Sequence, residues 1–357
     1  MRVPLRLPVP LLLLVAGAVL PIPAPSLRVV DDLVKVALVV ILFNGGMGIG
    51  RRRLRDAWWG VLSLGLVGTI GTVAGAALVV HLVTGVSWYL SLLLATAVAP
   101  TDPAVVFSVL GGEDLGGPSG TVLEGESGAN DPVGIAMLAA LLAGGSLTGG
   151  ALADAAGSMS LQLLVGLLVG VAGGWLLARP SEVHEGWYAV AALLAAGALF
   201  EIADLAHGSG FLAVFVAGIV LGDEHHQANP LRRVHARLGG AGEVVAFALL
   251  GLTIDVGTLG RSDVWLPGLG IALLLAAVVR PVVGLPLLLP ARLTRAERGF
   301  VLFAGLKGAV PLLLGTALLP LADGERLYGM VVVVVLVSVA VQGSLVPAVT
   351  RRLGLSG

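Results

Sequence analysis

Apolar residues fall in long blocks along this chain, each bounded by charged residues or by clusters of glycine and proline. A helix that crosses a bilayer needs about 20 mostly apolar residues. Twelve blocks qualify, near residues 7–22, 29–47, 57–83, 86–110, 119–145, 158–179, 186–206, 208–222, 240–258, 264–290, 298–321 and 327–350. The first is short and carries Pro8, Pro10 and Pro21. With Arg2 and Arg6 before it, it has the outline of a secretion signal, but Pro21-Ile22-Pro23 is not a small-x-small cleavage site. The pattern predicts an all-α polytopic membrane protein of about 12 spans. It reads as one membrane transport domain over residues 1–357, with no soluble domain appended.

Composition sharpens this reading. Hydrophobic residues make up 57 % of the 357 positions and charged residues 12 %, about half the share usual in a soluble domain. Mean hydropathy is +1.00. A soluble enzyme is excluded, because a globule of this size cannot bury so much apolar surface. The 52 glycines and 19 prolines are tolerated in transmembrane helices. There is no cysteine, which excludes disulfides, thiol chemistry and Cys-ligated metal. A formal net charge of −1 gives no sign of a nucleic-acid partner. No phosphate-binding loop and no nucleophile–base pair appears, so neither enzymatic activity nor a cofactor is expected.

The arginines set the expected orientation. Counted over the twelve spans, fifteen fall on the side of the two termini, among them Arg51, Arg52, Arg53, Arg55 and Arg292. Only Arg28, Arg261 and Arg326 fall on the other. Cytoplasmic loops carry the excess of positive charge, so both termini should be cytoplasmic in a bacterial or archaeal inner membrane. Arg51-Arg52-Arg53 also suits contact with anionic lipid headgroups.

The remaining charges lie inside spans, where they are costly and mark function. Lys35, Glu243, Asp255 and Arg280 lie toward helix ends and are read as snorkelling. Asp102, Glu126, Asp131 and Lys307 lie well inside, each among Gly, Pro, Ser, Thr or Asn. Pro100-Thr101-Asp102-Pro103 should break the fourth span, freeing carbonyls beside Asp102. In a purely structural reading Asp102 caps the second half-helix. In the fifth span Ser127 and Asp131, four apart, share a face, with Glu126 and Asn130 on the neighbouring one. Such oxygen-rich faces suit a hard cation such as Na⁺ or K⁺. A buried carboxylate can hold a proton or a metal ion, but not both at full strength, and that competition is the basis of exchange. The bland alternative is a polar helix–helix seam. The eleventh span, Gly305-Leu306-Lys307-Gly308-Ala309-Val310-Pro311, is a second interrupted helix. Paired interrupted helices point to an inverted-repeat transporter with a midplane site. A buried lysine needs a partner, and Glu126 is the first choice, with Asp102 second.

These segments resemble the cation:proton antiporter superfamily, most closely the bacterial NhaP-type branch of Na⁺(K⁺)/H⁺ antiporters. The resemblance runs through Phe43-Asn44-Gly45-Gly46, Val106-Phe107-Ser108, Glu126-Ser127-Gly128-Ala129-Asn130-Asp131-Pro132, Gly210 to Gly218 and Leu306 to Pro311. It implies two inverted repeats, two crossing broken helices, and a core that moves against a dimerisation domain. It implies that Asp131 alternately binds cation and proton, that Thr101, Asp102 and Ser127 complete or support the site, and that Glu126 forms a structural salt bridge with the cation at position 307. The Asn130-Asp131 pair is similar to that of electroneutral exchangers. This chain departs from the family pattern in having Lys307 in place of an arginine and Asn44 in place of an acid. A buried lysine can lose its proton and an arginine cannot, so Lys307 is expected to titrate or to hold Glu126 less rigidly. Relative to longer members the chain also lacks a first helix and a cytoplasmic C-terminal domain.

The expected function is antiport of Na⁺ or K⁺ against H⁺, in contact with membrane lipids and with a homodimer possible. The rival readings are a passive cation channel, a carrier of a small organic acid, and an inactive truncated paralogue. An anion carrier calls for a cationic midplane, which three carboxylates oppose. Glu201, Asp204 and His207 read as an interfacial polar cluster or, alternatively, a proton path, and Asp223-Glu224-His225-His226 as a solvated loop.

Overall fold

The computed structural model describes residues 8–20, 25–110, 118–179, 185–222 and 229–355. The Asp223–His226 loop lies outside them. Among the described residues every regular element is helical. The order is α1 (Val9–Val19), α2 (Leu27–Leu62), α3 (Thr69–Thr84), α4 (Trp88–Val98), α5 (Pro103–Leu110), α6 (Pro118–Gly144), α7 (Gly149–Leu177), α8 (Glu185–Leu205) and α9 (Gly210–Gly222). Then follow α10 (Asn229–Gly251), the one-turn α11 (Val256–Leu259), α12 (Ser262–Leu274), α13 (Arg280–Leu288), α14 (Arg295–Phe303), α15 (Ala309–Thr316), α16 (Gly324–Val337) and α17 (Ser344–Leu353). Wider π-helical turns at Ser63–Gly68, Leu275–Val279 and Ser338–Gly343 join α2 to α3, α12 to α13 and α16 to α17.

The twelve predicted blocks map onto these helices in order. Five helical runs are long and apolar enough to cross a membrane, and three further apolar helices are shorter. The second and third blocks are both in α2 and its continuation. They are separated at Gly50 alone, whose φ of 62° and ψ of 169° break the helix without a loop. Only glycine adopts that backbone region cheaply. Two predicted starts are late. Helix α7 begins at Gly149 rather than 158, with Thr148 accepting from the Ala151 amide, and α10 begins at Asn229 rather than 240. The Thr148 cap extends α7 past the apolar stretch that defines a span, and α10 likewise begins in polar sequence before its apolar stretch.

Packing is inside-out relative to a soluble domain. Leu161, Leu164, Leu167 and Leu168 of α7 are exposed, while its buried residues are Gly166, Gly170, Gly173 and Gly174. A Cβ on Gly170 would lie 2.6 Å from the Ala213 carbonyl of α9. Small residues let helix backbones approach closely where lipid supplies no hydrophobic driving force. Gly46 of α2 and Gly218 of α9 do the same, facing the carbonyls of Phe215 and Phe43. This close pairing gives the Gly210–Gly218 stretch a packing role. The chain is a multi-pass membrane protein.

Candidate ion-exchange site

The two proline- and glycine-interrupted segments break where the sequence predicts. Helix α4 ends at Val98 and α5 starts at Pro103, leaving Ala99 to Asp102 unwound. Proline suits the first position of a helix, where its missing N–H costs nothing. The Asp102 carboxylate accepts from the Ala104 amide at 2.9 Å, capping α5. Helix α14 opens on a Thr294–Glu297 capping box and ends at Phe303. Residues 304–308 are unwound before α15 resumes.

The two breaks cross and hold each other. The Asp102 amide donates to the Leu306 carbonyl at 2.7 Å. The Lys307 ammonium donates to the carbonyls of Ala99 at 2.7 Å and Pro100 at 3.2 Å. The Lys307 amide donates to the Ser338 hydroxyl at 3.0 Å, which in turn donates to Gln342 Oε1 at 3.2 Å. Gln342 Nε2 closes the set on the Phe303 carbonyl. Ser338 and Gln342, in the π-helical turn between α16 and α17, are functional contacts the sequence reading missed. Backbone groups freed inside a membrane must find partners, and these side chains supply them.

The expected Glu126–Lys307 salt bridge is not formed. Glu126 pairs in a bidentate fork with Arg280 of α13, through Nη1–Oε1 and through Nη2–Oε2 at 2.7 Å. Arg280 also donates to the Val301 carbonyl at 3.2 Å. The reason is geometric. A guanidinium matches a carboxylate with two parallel bonds, whereas the single Lys307 ammonium is already committed to two carbonyls. The snorkelling reading of Arg280 falls with it, since the residue is only 8 % exposed. Of the other charges assigned to helix ends, Lys35 pairs with Asp31 at 2.6 Å and Asp255 caps α11. Glu243 instead faces the site.

The two faces of α6 separate as their spacing predicts. Asp102, Ser127, Asp131 and Glu243 line one cavity of about 430 Å³, with Asn44 and Phe215 in its wall. Asn130 and Thr101 are not in that lining; they face each other. Asn130 Nδ2 donates to Thr101 Oγ1 at 2.8 Å, and the Thr101 amide donates back to Asn130 Oδ1 at 3.4 Å. This reciprocal pair fixes α6 to the first break. Asp131 is 6 % exposed. Its Oδ2 accepts from Ser127 at 3.5 Å, and its buried Oδ1 has no partner. Among the described residues no cluster of three or more His, Asp or Glu could hold a resident metal ion. Glu201 and Asp204 are exposed near the end of α8, and neither they nor His207 line this cavity.

The crossing is tight at Gly308. A Cβ there would fall on the Asp102 carboxyl group. Gly308→Ala is therefore expected to displace Asp102 and to lower thermal stability in detergent by about 1–3 kcal/mol. A native unfolding midpoint in that variant would show that the break tolerates a side chain.

Comparison with known proteins bears on this geometry. A family model described as the transmembrane sodium/hydrogen exchanger matches residues 2–352. The chain is 31 % identical over 335 residues to the K⁺/H⁺ antiporter NhaP2 of Shewanella sp. strain MR-4, covering 88 % of this chain and 56 % of that protein. It is 33 % identical over 331 residues to the K⁺/H⁺ antiporter NhaP of Alkalimonas amylolytica, covering 90 % and 57 %. The chain thus spans a little over half the length of these relatives. Its fold matches that of the sodium proton antiporter MjNhaP1 from Methanocaldococcus jannaschii at pH 8, with a TM-score of 0.79 over 94 % of this chain and 92 % of that one, at 21 % identity. With a family match from residue 2 to residue 352, the chain belongs to the transmembrane sodium/hydrogen exchanger family.

Proposed function

We propose that this chain carries out secondary antiport, exchanging Na⁺ or K⁺ for H⁺ by alternating access around Asp131. One observation carries the reading: a buried carboxylate with an unpartnered oxygen faces a cavity that a second carboxylate, Asp102, also lines. Leaving a bare charge there is costly. A monovalent cation or a proton relieves that cost, and the two compete for the same oxygens. Ser127 and Asp102 add oxygen ligands. Thr101 and Asn130 keep α6 and the broken helix in register, and Lys307 and the Glu126–Arg280 pair hold the surrounding frame. The names of the two K⁺/H⁺ antiporter relatives support the substrate class.

The excess of arginine on one side favours cytoplasmic termini. On that orientation the cavity opens toward the cytoplasm, since Gly48 and Glu124, near Arg53, belong to its wall. The Asn130-Asp131 pair, similar to that of electroneutral exchangers, favours one cation per proton. A homodimer and contacts with anionic lipid complete the proposal.

The test is reconstitution in liposomes with an internal pH dye, an imposed pH gradient, and addition of Na⁺ or K⁺ in turn. Dequenching by one cation, insensitive to membrane voltage, is the expected result and names the ion. Downhill cation flux without proton movement would replace the antiporter by a channel.

A further inference from the structure

Glu243 is a half-buried acid in the middle of α10, and the mechanism above leaves it unused. It lines the same cavity as Asp102 and Asp131. Among the described residues Glu243 takes part in no ion pair. Asp102, Asp131 on α6 and Glu243 on α10 thus line one cavity.

A second, independent observation lies opposite. Asn44 of α2 lines the same cavity, and both polar atoms of its amide are buried without a partner. A Cβ on Gly239 would come 3.4 Å from Asn44 Nδ2. Gly239 is four residues before Glu243 and so on the same helix face. Glu243 and Asn44 thus line the cavity from α10 and α2, with Gly239 of α10 against Asn44. An acid with no ion pair among the described residues and an unpartnered amide, lining one cavity with two more carboxylates, make a hard-cation environment. The acids do not converge on one metal centre, which places Glu243 a step away from Asp131 rather than in the same ligand shell.

Resting on the antiport reading, we propose that Glu243 is the cation-recruiting carboxylate of this cavity, concentrating Na⁺ or K⁺ between α10 and Asn44 and passing it to Asp102 and Asp131. It is a positioning residue for the cation. It acts on how readily the site fills, not on the exchange step at Asp131.

The experiment measures cation-driven proton flux against cation concentration for native protein, Glu243→Gln, and Glu243→Gln combined with Asn44→Asp. Glu243→Gln is expected to raise the cation KM about tenfold, equivalent to about 1.4 kcal/mol, with the maximal rate within about twofold of native. Asn44→Asp returns a carboxylate to the cavity wall and is expected to bring KM back toward native, which a merely structural Glu243 would not allow. An unchanged KM in active Glu243→Gln overturns the proposal, as does a raised KM that Asn44→Asp fails to lower. Thermal stabilisation of the detergent-solubilised protein by KCl or NaCl reads the same affinity without transport. Where Glu243→Gln does not fold, Asn44→Asp alone must lower the half-stabilising concentration, and no change overturns the proposal. Native protein that moves no protons with either cation, yet shows a Glu243-dependent stabilisation, sinks the antiport reading and spares the cation route.

Discussion

Replacing Asp131 with asparagine is expected to abolish cation-driven proton movement, by at least a hundredfold, while leaving expression and folding intact. The substitution keeps the volume of the side chain and an acceptor for the Ser127 hydroxyl at 3.5 Å. It removes the negative charge and the site of protonation. The buried Oδ1, which has no protein partner, is where a cation or proton would compete, and an amide binds neither with comparable strength. Asp131 forms no ion pair among the described residues, so no salt bridge is lost with the charge. The contrast is Asn130, whose bonds to Thr101 tie two helices together. Internal pH in proteoliposomes gives the rate, and gel-filtration of the solubilised protein reports folding. Exchange retained in Asp131→Asn would remove that carboxylate from the centre of the mechanism.

The parts of this architecture that were legible in the sequence are those set by local rules. Block length gave the span count, because bilayer thickness fixes it. Pro100, Pro103 and Gly305 to Pro311 marked the breaks, because proline and glycine interrupt helices wherever they fall. The i, i+4 spacing put Ser127 and Asp131 on the cavity face and set Asn130 apart. What depends on tertiary placement was not legible. Arg280 lies 154 residues from Glu126 in the chain, and its distance from a helix end says nothing about which neighbour it meets. An apolar block beginning at residue 240 puts Glu243 near a helix end, whereas α10 starts at Asn229 and holds it in its interior. Lys307 was correctly read as a central charge, yet its partners are backbone carbonyls, which leave no mark in side-chain patterns.

The Glu126–Arg280 pair carries the second large effect. Arg280→Met is expected to destabilise the protein by about 3–5 kcal/mol, since breaking a buried pair strands the remaining charge. Glu126 is 1 % exposed and would lose both bonds of the fork. Glu126→Gln should cost a similar amount by stranding Arg280, whose Nε already lacks a partner. The double variant Glu126→Gln/Arg280→Met leaves no uncompensated charge, so its loss should be well below the sum of the single losses. Replacing both members of such pairs is often close to neutral. Thermal unfolding in detergent for the four proteins closes the double-mutant cycle, and the coupling between the sites should exceed about 1 kcal/mol. The same cycle run with Lys307→Met in place of Arg280→Met should show weaker coupling to Glu126, because Lys307 is bound to Ala99 and Pro100. Stronger coupling of Glu126 to Lys307 than to Arg280 would restore the pairing that the sequence pattern suggests. The pair bears on function through rigidity. The Arg280 side chain passes over Gly305, where a Cβ would lie 2.8 Å from its Nε, so the fork joins α6, which carries Asp131, to the second broken helix. Losing it should loosen the crossing itself, and the single variants should lose exchange at temperatures where they remain folded.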